Sequence, residues 1–174
     1  GANNTSAIDS GDGGIIYIDN RGAVNGNIRI SETKVRRSGT SGISVINANS
    51  LWVHFNEISD IADYGVLASR SSNFHIDSNY IHDSAEAGAA NTYGIMATGA
   101  NASADLQERC SISFNKIVNF ASWDGIMSHD CSGLLIAFNQ IENVRMGIDI
   151  SAANDANVIE DLTIIGNQIK LTTT

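Results

Sequence analysis

Leu51-Trp52-Val53-His54-Phe55-Asn56-Glu57-Ile58, closed by Gly65-Val66, is the stretch that decides the fold. Leu51, Val53 and Phe55 stand two apart, the period of a strand with one buried face. Asn56 breaks the alternation, and Gly65 starts a new apolar pair. The same order returns about every 23 residues. Phe74, Ile76, Ser78, Asn79 and Ile81 lead to Gly94-Ile95. Cys110, Ile112, Phe114, Asn115 and Ile117 lead to Gly125-Ile126. Leu134, Ile136, Phe138, Asn139 and Ile141 lead to Gly147-Ile148. A last half copy holds Leu162, Ile164, Asn167 and Ile169, and a first, weaker one holds Ile28, Ile30, Thr33, Val35 and Gly42-Ile43. A repeat of this length marks a solenoid, in which each unit buries its apolar face against its neighbours.

Each unit reads as one coil of three short strands and three corners. Asn tolerates the left-handed backbone region and bonds neighbouring backbone groups, so it suits a corner. Stacking would place Asn56, Asn79, Asn115, Asn139 and Asn167 over one another as an amide ladder. Phe55, Phe114 and Phe138 are expected to form a buried stack beside it, interrupted at Ser78. Gly42, Gly65, Gly94, Gly125 and Gly147 start the third strand. A helical solenoid is excluded, because no segment keeps a 3.6-residue period and β-branched residues abound.

The ladder spacing separates plain coils from decorated ones. Asn56 to Asn79 is 23 residues and Asn115 to Asn139 is 24, but Asn79 to Asn115 is 36. The excess falls at Asp83–Tyr93 and Thr98–Arg109, on either side of the strand that begins at Gly94. Insertions in a solenoid become loops, and loops on a rigid scaffold often carry function. Two readings stand: walls of a groove, or neutral insertions rich in Ala, Asn and Gly.

The pattern resembles the parallel β-helix repeat of the pectin-lyase-like superfamily, which includes pectate lyases, polygalacturonases, mannuronan C5-epimerases and many phage tailspikes. The resemblance covers roughly residues 14–170. It implies an all-β, single-stranded, right-handed parallel β-helix with substrate lying along the Gly-Ile sheet and the corner before it. Because one scaffold hosts several chemistries, it implies a fold more strongly than an activity.

At 174 residues the chain is one domain, 1–174: an irregular lead-in over 1–13, coils over 14–170 and a tail over 171–174. About six coils at roughly 4.8 Å each make a stack about 30 Å long. No amphipathic capping helix opens the chain, so a segment of a longer solenoid is expected. Ten Lys and Arg against 19 Asp and Glu give a formal charge of −9, which argues against nucleic acid as a partner. Apolar runs of only a few residues leave no membrane-spanning helix. Proline is absent, as suits strands whose N–H groups all pair. Cys110 takes an inward strand position and Cys131 is out of register with it, so no bridge is expected.

Most enzymatic motifs of the superfamily are missing. The pectate-lyase Arg-x-Pro-x-x-Arg element cannot occur without proline, and the polygalacturonase set survives only as a broken Ser128-His129-Asp130. Gly125-Ile126-Met127-Ser128-His129-Asp130 is similar to the Asp-Pro-His-Asp region of mannuronan C5-epimerases. That resemblance carries over only His129 and Asp130, and it implies a His acting on a sugar C5 proton. A His held by a neighbouring carboxylate can serve as acid or base near neutral pH. The plain alternative is a surface His at a strand end.

Alternation from inward Ile126 turns Met127 and His129 outward, with Met96, Thr98, Asp149 and Ser151 beside them on neighbouring coils. The preceding corner adds Trp123, Asp124 and Arg145. Aromatic, acidic and basic groups on one face are what sugars need, a flat apolar surface to stack on and polar groups for hydroxyls. Asp124 and Asp149 are the candidate acid and base, with His129 the alternative catalytic group. Trp123, Arg145, Asp130, Tyr93 and Met127 are candidate substrate-binding residues. Coil stacking and strand offset suggest carboxylates about 5–10 Å apart, spanning both glycosidase geometries. The bland reading makes Asp124-Gly125 a turn pair and Asp149 a solvated strand residue. Tyr64 suits corner packing, His54 and His75 a solvated opposite sheet, and Asp83 and Glu86 the insertion. No zinc spacing occurs and no cofactor is expected; calcium among the acids is the open alternative, with no ligand spacing to support it.

The function expected is binding, and depolymerisation, of an extracellular or bacterial-surface polysaccharide, as in a tailspike. A tailspike would be a homotrimer, and the location the virion surface or outside the cell. A non-catalytic adhesin or spacer, and a uronan lyase or C5-epimerase using His129, are the alternatives.

Overall fold

The computed structural model describes residues 14–20, 27–84, 92–99, 109–152 and 159–172. The expected lead-in over 1–13, most of both insertions, Glu86 among them, and residues 173–174 lie outside the described residues. In chain order the strands begin with β1 Gly14–Asp19, β2 Asn27–Ser31, β3 Lys34–Ser38 and β4 Ser41–Ile46. There follow β5 Ser50–His54, β6 Glu57–Ile61, β7 Tyr64–Ser69, β8 Phe74–Asp77, β9 Tyr80–Ser84 and β10 Tyr93–Thr98. The last are β11 Cys110–Ser113, β12 Lys116–His129, β13 Leu134–Ala137, β14 Gln140–Ser151, β15 Thr163–Ile165 and β16 Gln168–Leu171.

Each strand pairs in parallel with its counterpart one coil away. Strands β2, β5, β8, β11, β13 and β15 form a six-stranded sheet, so five turns separate the first from the last. The remaining strands form a ten-stranded sheet that folds round a corner. One wall is β1-β4-β7-β10, the other β3-β6-β9, and they join because β12 and β14 run through the corner unbroken. Three separate short strands per coil therefore hold only for the earlier coils.

Every wall supplies an inward column. Ile30, Val53, Ile76, Ile112, Ile136 and Ile164 pair in sequence along the six-stranded sheet. Ile58, Ile81, Ile117, Ile141 and Ile169 line the second wall, and Ile43, Val66, Ile95, Ile126 and Ile148 the third. Most are fully buried in one continuous core. Each such side chain contributes about 1.5–3 kcal/mol of burial. At the last coil Ile164 and Ile169 are 48% and 47% exposed.

The amide ladder forms along the expected corner. The Asn79 Oδ1 accepts from the backbone N–H and the Nδ2 of Asn56, at 3.0 and 2.9 Å. Asn115 serves Asn79 in the same way, Asn139 serves Asn115, and Asn167 serves Asn139. Thr33 ends the column, its N–H donating to Asn56 Oδ1. The left-handed residue at this corner is the one before each Asn. Phe55, Ser78, Phe114 and Phe138 all have φ 56°. That backbone turns their side chains outward, which overturns the expected buried Phe stack. Phe55, Phe114 and Phe138 are 59%, 61% and 51% exposed.

Cys110 and Cys131 are both free and buried. Burial pushes the Cys131 thiol up to about 12. Among the described residues no helix is long and apolar enough to cross a membrane.

Candidate functional site

The corner before the Gly-Ile strands carries a row of aromatic rings. Tyr64 and Tyr93 are in register on β7 and β10 and stack with centroids 5.7 Å apart. Trp123 continues the row, 5.7 Å from Tyr93 at 44°. The Arg145 guanidinium lies over the indole, 3.9 Å from its centroid, within cation–π range. Its Nη2 also reaches Asp124 Oδ1 at 3.3 Å. Trp123, Asp124, Arg145 and Tyr93 are thus brought together, as their sequence positions suggested.

A bulge makes this possible. Between Phe120↔Val144 and Asp124↔Met146, β12 has three intervening residues and β14 one. Ala121, Ser122 and Trp123 therefore oppose Arg145 alone. The extra residues shift the strand register here and redirect its side chains, a device common beside active sites. The sequence holds a signal for it. Asn115 to Gly125 is 10 residues, against 8 from Asn139 to Gly147.

Asp124 is fully buried rather than solvent-facing. Burial pushes its carboxyl up from the ordinary Asp range, the Arg145 contact pulls it down, and the charge of Asp149 adds to the rise. Its Oδ2 is buried without a hydrogen-bond partner among the described residues. A buried acid with one unsatisfied oxygen is chemically suited to hold a proton. The Tyr93 phenol is likewise pushed up, by burial first and then by Asp124.

Asp149 pairs with Met127, and Asp124 pairs with Met146. Three residues of offset on adjacent strands put the two Cα atoms about 11 Å apart. Asp149 itself is half-buried.

Outward rows follow the predicted register. Met96, Met127 and Asp149 align, as do Thr98, His129 and Ser151. Met127 is only 8% exposed, so it is covered and not an open contact. His129 is half-buried, with Nδ1 3.5 Å from the Ser151 hydroxyl. Asp130 turns away at φ 55° and is buried, so alternation ends there.

The opposite sheet is less solvated than its pattern suggested. His75 stacks on Trp52 at 5.6 Å, and Arg29 Nε donates to His54 Nε2 at 2.8 Å. A His–Asp pair that sequence reasoning missed is His82–Asp83, Nδ1 to Oδ2 2.8 Å. Asn119 donates to the other Asp83 oxygen, and these two bonds hold the carboxyl below its usual range. Among the described residues, no three His, Cys, Asp or Glu side chains converge into a group able to hold a metal ion.

A parallel stack of β coils with an internal Asn ladder and decorated outer corners defines a β-helix protein. The model of the right-handed beta helix region matches residues 13–173, nearly the whole chain, and the protein belongs to that family. No curated protein matches the chain. No solved structure matches it either.

Proposed function

We propose that this β-helix binds a polysaccharide outside the cell or at a virion surface, with the Trp123 corner as its site. The observation that carries this reading is the Trp123–Arg145–Asp124 stack beside Tyr93. It offers the uncovered part of the half-buried Trp123 ring for a sugar to pack on and, through Arg145 and Asp149, charged hydrogen-bonding groups for its hydroxyls. Asp124, raised by burial, is suited to be the proton donor to a glycosidic oxygen. Asp149, one coil away and offset along the strand, is the partner base in this reading.

Binding without cleavage is the second reading, and the complete burial of Asp124 favours it. A glycan array followed by mass spectrometry of digests tests both. A reducing-end product supports hydrolysis, and binding without product supports an adhesin. An unsaturated or epimerised uronate would instead point to His129 as the base. Absence of binding to any glycan would sink the whole reading.

A further inference from the structure

The opposite, ladder-bearing corner offers a second place for a ring. Phe114 and Phe138, one coil apart, stack at 5.3 Å and 16°. Phe55 shares their backbone conformation two coils below Phe114, and the position between holds Ser78. The interruption leaves a slot where one ring of the column is missing. Two coil spacings put the Phe55 and Phe114 backbones about 10 Å apart, and the Phe55 ring lies 5.0 Å from His54, so a ring entering at Ser78 has room about 5 Å from either backbone level.

The slot is not lined by carbon alone. Beside it runs a cavity of about 400 Å³ bounded by Glu32, Phe55, Glu57, Ser78 and Tyr80. Lys34 and Arg36 hold Glu57, each at 2.6 Å, and Lys116 stands 5.4 Å from the Tyr80 ring centroid. Half-buried Asp77 flanks Ser78 on the other side, in register with His54. Two apolar walls with a charged and hydroxylated rim match an occupant that has apolar faces and a polar edge. A pyranose has that form, whereas a phenyl side chain would use the walls and leave the rim unmatched.

We propose that the Ser78 slot between Phe55 and Phe114 is a second carbohydrate site, separate from the Trp123 corner, that takes one pyranose ring. The sister coils show that Phe is accepted at this left-handed position, so Ser78→Phe completes the stack and fills the slot without disturbing the fold. Maltohexaose, cellohexaose and hexagalacturonate serve as probes, by calorimetry and saturation-transfer NMR on the 174-residue chain. The expected result is binding of at least one probe that weakens tenfold or more in Ser78→Phe. Phe114→Ala, which removes a wall without filling the space, must give a similar loss. Trp123→Ala must leave this component intact, which separates failure here from failure of the Trp123 site. Unchanged affinity in Ser78→Phe and Phe114→Ala overturns the proposal. So does failure of all three probes to bind, or a slot that takes only a phenylalanine-bearing peptide.

Discussion

A methyl group on Gly65 would lie 2.4 Å from Cγ2 of Ile81 and 2.5 Å from the Gly94 carbonyl oxygen. The relationship recurs at every coil. Gly42 meets Ile58, Gly94 meets Ile117, Gly125 meets Ile141 and Gly147 meets Ile169, each at 2.4–2.6 Å. None of these five glycines has a positive φ. Space selects them, not backbone freedom. Each of these glycines and the Ile that follows the ladder Asn of the next coil are two halves of one packing unit.

Gly65→Ala should therefore destabilise the protein by about 1–3 kcal/mol, the usual cost of overpacking. Urea denaturation against wild type measures it. A variant as stable as wild type would show that the corner relaxes freely, and that the glycine column is not a packing requirement.

Much of this is legible in the sequence itself. Parallel strands, the ladder and the inward Ile columns follow from residues recurring in register, because stacking compels equivalent positions to touch. The aromatic–charged cluster at Trp123 was legible for the same reason. What the pattern misassigned was direction at corners. Period-two alternation holds along a strand and fails where a residue turns left-handed, so Phe55, Phe114 and Phe138 face water. Burial of Asp124 was also hidden, since a strand pattern does not reveal the bulge that packs Trp123 and Arg145 around it. His82–Asp83 escaped notice because the pair is made by a corner rather than by a motif.

Asn115→Ala should cost on the order of 3 kcal/mol. Its Oδ1 accepts from Asn79 N–H and Nδ2, and its Nδ2 donates to Ile76 O and Asn139 Oδ1. These partners are buried, and each unsatisfied buried group costs about 1–3 kcal/mol. Thermal melts against exposed Lys116→Ala check it. Matching melts would mean the ladder contributes no net stability.

Acid should weaken the fold partly through Glu57. Hydrogen bonds from Lys34 and then Arg36 lower its carboxyl from 4.5 to about 2. A depressed folded value means stability that is fully present above the unfolded pKa and lost as pH falls from about 4.5 towards about 2. Glu57→Gln should flatten that part of the melting-temperature profile, and added salt should weaken the wild-type dependence because the pair is near the surface. An unchanged acid limb in the variant would show that the pair is not formed in solution.

Asp124 should act with the opposite sign. Its folded-state value is raised, so the folded protein holds the proton more tightly than the unfolded chain. Stability from this group is present at low pH and falls as pH rises from about the unfolded value of 3.8 through the raised one. Asp124→Asn keeps the shape and removes the titration, so its stability should fall less over that window. Asp124→Ala should destabilise outright, because it leaves a void and strips Arg145 of its carboxylate partner. If Asp124→Asn shows the same slope as wild type, the carboxyl is solvated in solution and is no candidate acid.

Trp123 decides whether the corner is a binding site. Its ring lies 5.7 Å from that of Tyr93 and 3.9 Å from the Arg145 guanidinium. Trp123→Ala removes the stacking surface and frees Arg145, whose remaining anchor is Asp124. Glycan affinity at this corner should weaken by roughly 1–3 kcal/mol, a loss of stacking and burial together. Removing the ring also costs fold stability, so affinity must be measured below the variant's melting transition. Asp149→Asn keeps a hydrogen-bonding group in place, and should abolish turnover with a much smaller loss of affinity than Trp123→Ala if Asp149 is the base. Arg145→Lys keeps the charge and loses the flat stack, so partial loss would assign the contribution to guanidinium geometry. His54→Ala and His75→Ala on the opposite sheet are the controls. Equal loss in both sets, or loss only in the controls, would remove the Trp123 corner from consideration and leave its rings and charges as packing that closes the bulge.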